Sequence, residues 1–183
     1  MKRKITAIAF MLLCVCSVAF AQDRDQSVYL EAMGPSNMLG VSYDARIKPE
    51  SSLGYRIGIA YSGSVTKSFF GGKHDQNSVS VPLELNYLVG NGKNKLEMGV
   101  GTSLGMYHNS GDYWTGNSEE TFKKEHYSET TFGYYLYGNI GYRRISKSGF
   151  QFRCGVSPSL NLGDKHGVKK NLFYPYVSVG YAF

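Results

Sequence analysis

Lys95-Leu96-Glu97-Met98-Gly99-Val100-Gly101-Thr102-Ser103-Leu104-Gly105-Met106-Tyr107 decides the fold. Leu96, Met98, Val100, Thr102, Leu104 and Met106 fall on one face of an extended chain. Glu97, Gly99, Gly101, Ser103, Gly105 and Tyr107 fall on the other. Strict alternation over this length is the period of a β-strand. Wound as a helix, the same residues would scatter glycine and serine through the interior and leave no apolar stripe.

Seven further segments repeat the pattern on either side. Ser27 to Met33 sets Val28, Leu30 and Ala32 on the apolar face, and Leu39 to Ile47 sets Leu39, Val41, Tyr43, Ala45 and Ile47. Leu53 to Ser62 and Ser78 to Val89 follow, the latter with Pro82 on its polar face. Thr131 to Arg143, Phe150 to Leu162 and Asn171 to Phe183 complete eight strands. Most run to roughly nine or more residues, the length a tilted strand needs to cross a bilayer. Short turns rich in Gly, Asn, Ser and Pro join them at one end, at 48–52, 90–94 and 146–149. At the other end Gly34 to Asn37 is short, but Gly63 to Asn77, His108 to Thr130 and Gly163 to Lys170 are expected as long loops. Short turns at one end and long loops at the other suit an eight-stranded antiparallel up-and-down transmembrane β-barrel.

The first 21 residues stand apart from this pattern. Lys2, Arg3 and Lys4 precede the apolar run Ile5 to Val18, and Ala19-Phe20-Ala21 offers small-x-small for signal peptidase. The expected organisation is a cleaved signal peptide, 1–21, and a barrel domain, 22–183. Cys14 and Cys16 lack the small residue that lipoprotein processing wants before them, so they read as filler of the apolar run. With the leader gone, Lys+Arg falls from 20 to 17 against 14 acids, and the chain's +6 becomes +3. That balance withdraws most of the case for a nucleic-acid partner. Cys154 alone remains, so no intramolecular disulfide forms.

The polar face holds Glu31, Asp44, Arg46, Arg56, Glu84, Glu97, Arg143 and Arg153, all mid-strand. A soluble barrel of the lipocalin kind would turn them outward, around an apolar ligand cavity. A membrane barrel must turn them inward, where four acids and four arginines suit a closed ionic network, with Tyr29, Tyr135, Tyr137, Tyr174 and Tyr176 as further filling. Aromatic placement favours the membrane. Tyr43, Tyr55, Tyr87, Tyr142, Phe150, Phe152, Tyr181 and Phe183 gather toward the short-turn end of the apolar face, and Tyr61, Phe132 and Tyr134 toward the other. Two interfaces account for two belts.

The terminal Val177-Ser178-Val179-Gly180-Tyr181-Ala182-Phe183 resembles the closing signal of outer-membrane barrels, with an aromatic third from the end and a final Phe. With the leader and the eight strands, residues 22–183 resemble small barrels of the OmpA/OmpX type from Gram-negative bacteria. The resemblance implies an outer-membrane location, contact with lipopolysaccharide, and recognition of Tyr181 and Phe183 by the barrel-assembly machinery. Activity is not implied, because such barrels host many tasks.

Three classes of function follow. The first is a non-catalytic surface or envelope protein whose loops meet an extracellular partner. Tyr113, Trp114, Phe122 and Tyr127, set among charges, are its candidate contacts. The alternative for these aromatics is that the fifth and sixth strands continue and pair them across the ladder. The second class is a narrow channel, disfavoured because eight strands leave room only for side chains. The third is an enzyme acting on outer-leaflet lipid. His108-Asn109-Ser110 resembles the His-x-Ser motif of outer-membrane lipid A deacylases, with Asp112 or Glu119 as orienting acid, but Gly111 departs from that motif. His74, His108, His126 and His166 lack any metal-ligand spacing, and no cofactor motif is present, so neither metal nor cofactor is expected.

Overall fold

The computed structural model describes residues 24–67, 73–115, 123–160 and 173–183. Eight strands close into one barrel in chain order: β1 (Gln26–Met33), β2 (Leu39–Arg46), β3 (Leu53–Lys67), β4 (Lys73–Val89), β5 (Asn94–Thr115), β6 (Lys123–Ile145), β7 (Phe150–Leu160) and β8 (Phe173–Ala182). Every neighbouring pair is antiparallel, and β1 pairs with β8 to complete the ring. The expected leader, 1–21, and the expected loop 163–170 lie outside the described residues.

The other two long loops differ from expectation. β3 and β4 stay paired out to Lys67 and Lys73, and β5 and β6 out to Thr115 and Lys123, so 63–77 and 108–130 are largely strand. Apolar alternation stops near Met106 and Phe132, but main-chain pairing needs no apolar face, and each strand supplies the other's hydrogen bonds. A tall sheet of four strands therefore rises from one side of the ring, opposite the short β1 and β2 of 8 residues each.

Side chains alternate across the wall. Ile59 and Val100 on the outer face are 67% and 68% exposed, whereas Glu97 and Arg153 on the inner face are fully enclosed. Exposed apolar residues run right round the ring on all eight strands, from Val28 and Leu30 on β1 to Val177 and Val179 on β8. An H-bonded row followed from Phe132 through Met106, Val79, Tyr61, Leu39, Ala32, Val177 and Cys154 re-enters β6 at Tyr142, well below its start. That stagger is what tilts the strands of a closed barrel.

Two prolines interrupt the ladders. Gly58 and Ile59 do not pair with Pro82 and Val81, nor Gly138 and Asn139 with Pro158 and Ser157. Proline brings no N–H to a ladder, and at the second gap Ser157 Oγ instead donates to the Gly138 carbonyl at 2.8 Å. Room for the large inner side chains comes from glycine. A Cβ on Gly101 would sit 2.7 Å from the Tyr137 ring and closer still to the Leu83 carbonyl.

Candidate functional site

The lumen collects its charges because each occupies an inward position of a period-two strand. Asp44 stands on β2, Arg56 on β3, Glu84 on β4, Glu97 on β5, Arg143 on β6, Arg153 on β7 and Glu31 on β1, all buried, with Arg46 at the end of β2.

Two clusters form. In the first, Arg56 Nη2 donates to Glu31 Oε1 at 2.6 Å and to Ser36 Oγ at 3.1 Å, while its Nε donates to Ser42 Oγ at 3.2 Å. Glu84 lies 3.5 Å from Arg56 Nη1 and accepts a 3.2 Å bond from Asn139. In the second, Arg143 donates two bonds to Asp44, 2.8 and 2.9 Å, and two to Glu97, 2.9 and 2.8 Å. Arg153 donates to both oxygens of Glu97, and Arg46 to Asp44 at 2.6 Å, with Asn86 bonded to both Arg46 and Asp44. The Tyr29 ring lies between the clusters, 4.2 Å from the Arg153 guanidinium carbon and 5.5 Å from that of Arg56. All eight charged residues singled out from sequence thus meet in one volume. Asn86, Asn139, Ser42 and Ser36 join them; the first three share the same inward parity, which is the signal that would have found them.

Above this ionic half lies a lid that sequence reading missed. Gly34–Ser36 forms a single 3-10 turn whose residues are buried rather than solvated. Met33 and Asn37 adopt φ of 66° and 60°, the left-handed region, and these reverse the chain into the lumen. Ser36 Oγ donates to Glu31 at 2.8 Å, and the Tyr135 hydroxyl donates to the Pro35 carbonyl at 2.9 Å. Tyr135 and Tyr176 are buried against the turn, Tyr137 and Tyr107 are buried elsewhere on the inner face, and Tyr174 is only half-buried. Buried ion pairs hold little net stability but cost heavily when one partner is lost, so the combination makes a rigid closed core.

The outer candidates lie elsewhere. Tyr113 and Trp114 stand on β5 in register with Glu125 and Lys124, not in a loop, and Tyr127 is an exposed residue of β6 opposite Gly111. Phe122 lies outside the described residues. Beyond Tyr61, the β3 edge at 62–67 has no pairing from β2. His108 Nδ1 lies 2.9 Å from Thr130 Oγ1 across the β5–β6 ladder, and Ser110 is paired with Ser128 two steps further out. At the seam, Phe183 exchanges main-chain bonds of 2.8 and 3.2 Å with Gln26, and Tyr181 pairs with Val28 on one side and Phe150 on the other. No group of His, Cys, Asp and Glu able to hold a metal occurs among the described residues.

No family model matches the sequence, and no curated protein matches it. Its fold is that of the small eight-stranded outer-membrane barrels. The N-terminal β-barrel domain of Pseudomonas aeruginosa OprF superposes with a TM-score of 0.51 at 16% identity, covering 88% of this chain and 98% of that one. Ail, the attachment invasion locus protein of Yersinia pestis, gives a TM-score of 0.45 at 12% identity over 86% and 95% of the two chains. Acinetobacter baumannii CarO gives 0.45 at 10% identity over 86% and 96%.

Proposed function

We propose that this chain is a non-catalytic protein of the Gram-negative outer membrane, exported by a leader cut after Ala21, whose tall β3–β6 sheet meets an extracellular partner. The observation that carries the reading is the inverted wall: apolar side chains exposed on all eight strands outside, and the ions enclosed within. In water such a surface far exceeds the apolar patch a soluble monomer leaves bare. In lipid it is the required one. Tyr55, Tyr87, Tyr142, Phe150 and Tyr181 toward one end, and Tyr61, Phe132 and Tyr134 toward the other, fit the two interfaces. By this reading the outer wall contacts lipopolysaccharide, and the Tyr181–Phe183 ending is what the assembly machinery takes up.

For the partner, the support is the extension itself. It combines a β3 edge that β2 leaves unpaired among the described residues, which offers main-chain donors and acceptors for strand addition, with Tyr113, Trp114 and Tyr127 on its β5–β6 hairpin. The ionic network and the buried turn fill the lumen, which supports a closed barrel rather than a porin. The test of location is a membrane fractionation read by heat-modifiable gel mobility. The unboiled protein is expected in the outer-membrane fraction with a shifted band; recovery as a soluble periplasmic protein without detergent would overturn the reading.

A further inference from the structure

The apolar outer wall carries one charge. Between the belt of Tyr61, Phe132 and Tyr134 and the short-turn end, Arg144 is the one charged side chain on the outer face of a strand among the described residues. It follows Tyr142 on the outward parity of β6 and stands between Asn94 on β5 and Phe152 on β7. Arg144 is exposed, and its guanidinium meets no carboxylate or hydrogen-bond acceptor among the described residues. Asn94 is already engaged, accepting from the Tyr142 hydroxyl at 2.7 Å.

Further cations gather at the same rim. Lys93 is exposed in the β4–β5 turn, and its carbonyl accepts from the N–H of Ile145, the residue after Arg144, at 2.9 Å. Lys147 is exposed in the β6–β7 turn, which Arg24 joins by donating to the carbonyls of Ser146 and Lys147. The acidic side chains outside the lumen at this end are Asp25 and Glu50. They sit together at the β2–β3 turn, where the Glu50 N–H donates to the Asp25 carboxylate at 3.3 Å. The rim from β4 to β7 is cationic and has no acid of its own outside the lumen.

The strand that bears Arg144 also leads to a hollow. Thr102, Gly138 and Pro158 take outward positions among the longer Val100, Leu136 and Leu160, and a cavity of about 920 Å³ opens on the wall there. The Thr102 hydroxyl donates to the Tyr135 carbonyl at 3.2 Å, so it asks nothing of an occupant. Gly138 lies six residues before Arg144 on β6. At ~3.3 Å per residue and a tilt of ~40°, that is roughly 20 Å of strand and about 15 Å of depth, half of a hydrocarbon core of about 30 Å.

We propose that this face binds an anionic glycerophospholipid of the leaflet at the short-turn end. Its phosphate sits against Arg144, with Lys93 and Lys147 at hand, and one acyl chain runs along β6 into the hollow. The site presupposes the outer-membrane placement proposed above, which makes this leaflet the periplasmic one. Charge complementarity selects the occupant. The planar fork of a guanidinium matches phosphate oxygens, and basic residues close to a membrane surface add to the hold on anionic lipid. A second copy laid wall to wall would bring no acid to Arg144, because the same stretch of its outer face carries none. A lipopolysaccharide phosphate belongs to the opposite leaflet, at the long-loop end.

The test is native mass spectrometry of detergent-folded protein with three probes: phosphatidylglycerol, phosphatidylcholine of identical chains, and lipid A. The unmodified protein is expected to retain one phosphatidylglycerol in preference to phosphatidylcholine. Arg144→Gln should weaken that retention about fivefold, and Arg144→Lys should recover part of it. Lys48→Gln, an equal loss of exposed charge in the β2–β3 turn, should leave it unchanged. Gly138→Leu fills the hollow, where an added Cβ meets nothing nearer than Pro158 Cγ at 3.4 Å, and should lower retention of both phospholipids. Equal retention of the two phospholipids, a loss at Lys48→Gln as large as at Arg144→Gln, or unchanged retention in folded Gly138→Leu overturns the site. So does a dimer that excludes lipid, or a lipid A adduct that Arg144→Gln removes while phosphatidylglycerol stays. If Gly138→Leu lacks the heat-shifted band, Arg144→Gln against Lys48→Gln carries the decision. Protein that folds into vesicles without preferring phosphatidylglycerol removes the site and leaves the membrane placement standing; protein that is soluble without detergent removes both.

Discussion

Arg143 on β6 grips Asp44 on β2 through two hydrogen bonds of 2.8 and 2.9 Å, joining strands that stand opposite each other in the ring. It is a strut across the lumen rather than a link between neighbours. Taking away one end leaves a buried charge, so Asp44→Leu is expected to lower stability by about 3–5 kcal/mol. The reading is the urea midpoint of detergent-folded protein. Adding Arg143→Met to Asp44→Leu should recover part of the loss, because Glu97 keeps Arg153. A single variant with the wild-type midpoint would contradict the strut.

Val100 lies in the middle of the outer wall, between Leu85 on β4 and Gly138 on β6. If that wall faces lipid, Val100→Arg costs roughly 2–4 kcal/mol near the bilayer midplane, whereas Val100→Leu leaves folding into vesicles unchanged. Equal folding yields for the two variants would place this wall in water.

Gly101 sits under Tyr137, where an added Cβ meets both the ring and the Leu83 carbonyl. Overpacking of this kind typically costs 1–3 kcal/mol, roughly the fall expected for Gly101→Ala in the same urea assay. Gly92, with φ of 82° and nothing within 4 Å of an added Cβ, is the comparison: Gly92→Ala should lose only the turn's backbone preference.

The filled lumen sets an electrical expectation. Purified protein in planar bilayers should show no steady conductance, since the Gly34–Ser36 turn and Tyr135 close the lumen above the ionic clusters. Well-defined open levels in the unmodified protein would overturn the non-conducting reading.

The tall hairpin should be dispensable for folding. Replacing 108–130 with a short turn removes the outer parts of β5 and β6 yet leaves the pairing of Leu96–Tyr107 to β4 and β6 in place. The shortened protein is expected to keep its heat-modifiable band while losing binding to whole-cell partners that the full protein retains. Loss of the band instead would make the extension part of the barrel's core.

Much of this was legible because alternation assigns a side to every residue of a strand. Glu97 and Val100 were separable from sequence for that reason, and so were the ends of β1, β2 and β7 to within two residues. Parity also put Tyr107 on the inner face, where it is buried. What was not legible lacks that signal. The outer parts of β5 and β6 carry charges and aromatics on both sides of the chain, so nothing in their order distinguishes a paired strand from a solvated loop. Gly34-Pro35-Ser36-Asn37 has ordinary turn residues, and ordinary turns face water. Left-handed φ at Met33, Gly34 and Asn37 sends this one inward, and of the three residue types only glycine favours that conformation, which an ordinary turn also uses.

The charge partners are scattered along the chain: Glu31 meets Arg56, Asp44 meets Arg143 and Glu97 meets Arg153, each across strands that are not adjacent. The first hairpin, with Glu31, Asp44 and Arg46, has no neutral inner side of its own. A polypeptide threading into hydrocarbon piece by piece would drag bare ions through oil. If the wall faces lipid as proposed, entry has to follow near-complete curling of the ribbon, or happen inside a sheltering host, and the slow step in its biogenesis should lie in bringing the two distant ends together rather than in making any one turn.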